Sequence, residues 1–212
     1  MAANAWGQPE PSSVMQVVGR LAAAAPCAWL AGRLIAVWVD PHAYGGGEWV
    51  RAAIALFAFE LVLVGCGVFM ANAAVRLRPG PRRWTSLAGF AALFGVLALG
   101  FALVDSSSGI LRVYAAVVVG RFASLVALDT RAAQDATADA VRQALVLLGL
   151  VLATVIVPAP ALGLTDAVLA SLWPERPLDT VWSAHPERAL AAAALYFGGY
   201  AASQLWAVAR RR

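Results

Sequence analysis

From Trp84 to Val104 the chain runs for 21 residues without a charge. A helix of that length rises about 1.5 Å per residue and crosses a hydrocarbon core of about 30 Å. Other stretches behave alike, so the pattern constrains the fold more than any motif does. A soluble helix shows one apolar stripe, whereas these segments are apolar all round. Only 13% of residues are charged and 61% are hydrophobic, against about 25% charged in ordinary globular chains. The expected fold is an all-α, polytopic transmembrane bundle forming one integral membrane domain over residues 1–212. Residues 1–13 make a polar N-terminal tail.

Six spans are drawn from the apolar runs and their stops. The first covers Val14 to Val39, with Ser12 or Ser13 as N-cap and Pro26 as an expected kink. Its apolar run is longer than a signal-peptide core, so it reads as a retained span. The second is Trp49 to Val75, after the Gly45-Gly46-Gly47 turn. The third is Trp84 to Val104, after Pro79-Gly80-Pro81. The fourth is Ile110 to Leu128. The fifth is Val141 to Val157, preceded by the charged, alanine-rich connection Asp129 to Arg142, whose composition also allows a helix. The sixth is Ala189 to Ala209. Residues 158–188 form the longest connection. Within it Thr165 caps a short helix, Asp166 to Trp173, whose apolar side suits the membrane interface. Pro186 and Glu187 suit the first turn of the last span.

All 16 basic residues are arginine. With the N-terminus inside, ten arginines fall on the inner side and four (Arg51, Arg112, Arg176 and Arg188) on the outer. That follows the positive-inside bias and places both termini in the cytoplasm. The absence of lysine, with abundant Ala, Gly, Arg and Pro, points to a GC-rich bacterial genome and so to the bacterial cytoplasmic membrane. The net charge of +4 is spent in short connections. No folded basic patch suggests nucleic acid. The expected partners are the lipid bilayer and other membrane subunits.

Two charges interrupt the spans near mid-depth. Glu60 and Arg121 each lie nine residues past an arginine at the outer edge of their segment, Arg51 and Arg112. Nine residues of helix put both about 13–14 Å deep. Opposite charges at one depth on parallel helices suggest a buried ion pair, and arginine, which stays charged, demands the partner more strongly. A structural bridge is the simpler reading; a proton-coupled site is the functional one. Arg33, six residues before the end of the first span, either snorkels outward or joins Glu60. Gly65-Cys66-Gly67 and Gly198-Gly199 read as places of close helix approach. Cys27 and Cys66 read as small apolar filler.

Outside the spans, His42 and His185 share the outer side with Asp40, Glu48, Asp179 and Glu187. No H-E-x-x-H, G-x-S-x-G, P-loop or G-x-G-x-x-G occurs, so no catalytic site, metal or cofactor is expected. The expected function is that of a non-catalytic membrane component, a subunit or scaffold. A small-solute or proton-coupled transporter is the alternative. A membrane enzyme with an outer-face site is the third reading.

Overall fold

Helix α1, Ser13–Val39, carries Pro26 in its interior without ending there. A proline forfeits one backbone donor, which packing against neighbouring helices offsets in an apolar bundle. The computed structural model describes residues 13–44, 46–78, 80–104, 111, 115, 118, 130–175 and 180–209. Among the described residues there is no strand. The helices after α1 are α2 (Gly46–Arg76), α3 (Pro81–Val104), α4 (Thr130–Ile156), α5 (Asp166–Leu172), α6 (Val181–Ala184) and α7 (Pro186–Ala209).

Among the described residues three helices are long and apolar enough to cross a membrane: α2, α3 up to Leu103, and α4 from Thr137. Their surroundings differ. Half of the apolar window of α2 is buried, against 17% for α3 and for α4. Val96, Leu103 and Ile156 are 69%, 71% and 79% exposed. Water-soluble monomers rarely leave so much contiguous apolar surface uncovered. Lipid satisfies such surfaces at no cost.

Helix α2 is the central rod, and its sequence says why. Val50, Ala53, Phe57 and Val64 recur at three- and four-residue spacing and pack into a core with α1, α4, α5 and α7. Phe59, Leu63, Cys66, Met70 and Ala73 form a second stripe in another core with α3. Two such stripes on one helix bury it on both sides. Three ring pairs set the direction of α3: Phe59 with Phe101, Phe69 with Phe90, and Phe69 with Phe94. They make α3 antiparallel to α2. Helix α7 runs antiparallel to α1, with Gly198 against the Ala31 Cβ. Helix α4 meets the start of α7 with its own end, through Arg188 and Thr154. The end of α3 and the start of α4 therefore lie at opposite ends of the bundle. Between them Leu111, Ala115 and Val118 are helical, and Leu111 and Val118 pack on the second core.

Helix α4 differs from the fifth span drawn from hydropathy. It begins at Thr130, so the charged stretch before Val141 is its first half. Alanine and well-spaced charges extend a helix as readily as apolar residues do, and nothing between Thr130 and Val141 stops it. Asp139 and Arg142, 3.1 Å apart, lie exposed on its surface.

The bundle end that holds Gly46 is closed by two backbone contacts. The Gly163 N–H donates to the Trp38 carbonyl at 3.1 Å, and the Trp38 indole donates to the Pro160 carbonyl at 2.8 Å. The 158–164 loop thus clamps the end of α1. A Cβ on Gly163 would lie 2.1 Å from the Val39 oxygen, and one on Gly47 would lie 2.2 Å from that of Leu172. Only glycine permits either approach. Thr165 caps α5 as the sequence suggests. The apolar side of α5 turns inward, however: Leu169 and Trp173 belong to the first core, and Leu172 meets the start of α2.

Candidate functional site

Glu60 follows Phe57 by three residues and precedes Val64 by four, so it occupies one position of an otherwise apolar stripe on α2. That stripe faces α7, where Tyr196 is buried. The Tyr196 hydroxyl donates to Glu60 Oε1 at 3.0 Å. Phe57, one turn earlier, packs on Trp182 at 5.4 Å between centroids. A carboxylate inside the bundle is thereby met by a phenol from another helix. At 3.0 Å the bond lies at the long end of the O–H···O range.

Of the residues singled out from sequence, Arg121 lies outside the described residues. Arg33 turns away from Glu60. Its guanidinium donates to the Tyr44 carbonyl at 2.9 Å and lies over the Tyr44 and Trp49 rings at 5.4 and 4.9 Å. It reaches toward the end of the bundle, where it is partly exposed and also held by protein. Tyr44 and Trp49 flank the glycine turn, so Arg33 fastens α1 to the start of α2.

Two further arginines were read from sequence only as topological charges. Arg83 is 1% exposed and donates to the Ala74 carbonyl. Ala74 lies in the last turn of α2, where carbonyls lack helical partners. Arg83 supplies a donor and a positive charge where the helix dipole favours one. Arg188 does the same for α4, donating to the Thr154 and Val155 carbonyls, each at 3.2 Å. The Thr154 hydroxyl also accepts from the Trp182 indole at 2.8 Å. No sequence pattern marks either arginine as a cap, because each acts on a helix other than its own.

His185 Nδ1 lies 3.3 Å from Glu187 Oε1 at the start of α7. Among the described residues no three His, Cys, Asp or Glu side chains gather to hold a metal. The Cys66 thiol approaches the Met70 sulfur at 3.5 Å inside the second core, and Gly65 admits the Phe94 ring.

The fold and these contacts define a class: an all-helical bundle with membrane-length apolar helices and an internal carboxylate. Comparisons with protein-family models, with curated proteins and with solved structures find no match.

Proposed function

We propose that this chain is a non-catalytic component of a bacterial cytoplasmic membrane, a subunit or scaffold, and that its internal polar residues hold the helices in register. In this reading six segments cross the bilayer: α1, α2, α3, residues 110–128, α4 and α7. Both termini are cytoplasmic, and α5 lies at the outer interface. Glu60 also pairs with Arg121. The observation that carries the reading is the Tyr196 hydroxyl on Glu60. The carboxylate is engaged by a side chain of a packed helix, as a structural tie requires. The end caps made by Arg83 and Arg188 belong to the same pattern.

A transporter remains the second reading, and one observation favours it. A groove of about 260 Å³ runs between α4 and α7 from Arg142 and Ser203 to Tyr196, the partner of Glu60. A proton path would need such an approach. The two readings separate in proteoliposomes carrying an internal pH dye. A scaffold leaves vesicles as tight to protons as protein-free ones, with and without Glu60→Gln. A proton flux that Glu60→Gln abolishes would reject the scaffold.

A further inference from the structure

At the Gly46 end of the bundle a second groove, of about 230 Å³, lies along the seam of α4 and α7. Leu150, Val157, Ala191, Leu195 and Trp38 line it, and Arg188 is its one charged lining residue. The Trp38 indole N–H is occupied by Pro160, so the ring offers only an apolar face. Val157 and Leu195 are exposed, and the groove opens to the bundle's surroundings.

Arg188 is the unusual element. Its Nη1 is fastened to the two α4 carbonyls, which fixes the guanidinium. Its Nε is buried and meets no acceptor. Among the described residues no carboxylate forms an ion pair with it. Arginine cannot shed its charge, and a buried N–H without an acceptor is costly. The Nε is closed to the groove, but Nη2 makes no hydrogen bond among the described residues and is not buried, so it is the donor open to an anion's oxygen. Leu195 lies seven residues beyond Arg188, about 10 Å further along α7. A fixed positive charge beside alkyl walls matches one kind of molecule.

We propose that this groove binds a phospholipid, with phosphate oxygens on Arg188 and an acyl chain along α4 and α7 toward Leu195. Arginine suits phosphate because it keeps its charge in an apolar setting and its remaining donor can take a phosphate oxygen. The proposal rests on the membrane placement above. Recovery of the chain in aqueous buffer without detergent would remove that placement, whereas the lipid comparison below bears on the groove alone.

The test titrates three probes into the detergent-solubilised full chain and follows its unfolding midpoint. The probes are dioleoyl phosphatidylglycerol, dioleoylglycerol (the same chains without phosphate) and inorganic phosphate. The wild type should gain about 4 °C from the phospholipid, less than half of that from dioleoylglycerol, and nothing from inorganic phosphate. Arg188→Gln should reduce the phospholipid gain to that of dioleoylglycerol. Each gain is read against that variant's own lipid-free midpoint, because the loss of the α4 bonds lowers the starting value. Leu195→Trp leaves Arg188 in place, fills the groove and should abolish both lipid gains. Equal phospholipid gains in wild type and Arg188→Gln would overturn the proposal, as would a gain from inorganic phosphate alone.

Discussion

Tyr196→Phe removes one hydroxyl and almost no volume. It leaves the Glu60 oxygen without that donor inside the bundle. Losing one side of such a bond costs about 1–3 kcal/mol, which is roughly 3–10 °C in the unfolding midpoint of a chain this size. Thermal unfolding in detergent should show that loss. An unchanged midpoint would mean that the bond contributes nothing. The proposed Glu60–Arg121 pair has its own check. Glu60→Leu and Arg121→Leu should each destabilise, and the double variant should cost less than the two together by about 1 kcal/mol or more. Strict additivity would reject the pairing.

Two contacts that join elements have consequences of their own. Gly163 lies so close to the end of α1 that a methyl group must push the loop off the Val39 carbonyl. Gly163→Ala should therefore lower the midpoint by several degrees, about 2 kcal/mol or more. Gly89→Ala should be neutral or stabilising, since nothing lies within 4 Å of a Cβ there. Similar losses in both variants would reject the clamp. The α2 cap is tested by Arg83→Gln beside Arg82→Gln. Arg83 is buried on Ala74, whereas Arg82 is exposed. The first variant should cost roughly 2 kcal/mol and the second less than 0.5. Equal effects would mean that Arg83 acts only as a surface charge.

For the whole molecule the first question is which way it crosses the bilayer. The proposed six spans, with ten arginines on the inner side, would place the C-terminus in the cytoplasm. A fluorescent protein fused there should glow, and alkaline phosphatase fused there should be inactive. The reverse pair of results would reject the six-span arrangement. Among the described residues, α3 ends and α4 begins at opposite ends of the bundle, and the expected span from Ile110 to Leu128 lies mostly outside the described residues.

The sequence alone determined the helical class, the presence of helices long and apolar enough to cross a membrane, and most helix ends. Each of these is a local property: uncharged length sets the first two, and glycine, proline or a capping threonine sets the third. Glu60 stood out for the same reason, as a charge in an apolar stripe. Hydropathy left the start of α4 open, because it marks where an apolar span begins and not where a helix does; the alanine-rich stretch before Val141 is helical. Which side chains meet was decided only by the tertiary structure. Tyr196 lies 136 positions from Glu60, and Arg33 turned to the glycine turn instead. Arg83 and Arg188, indistinguishable in sequence from surface charges, became caps on other helices. Partner choice depends on which faces of distant helices are pressed together, and apolar helices of similar length leave that choice open until they pack.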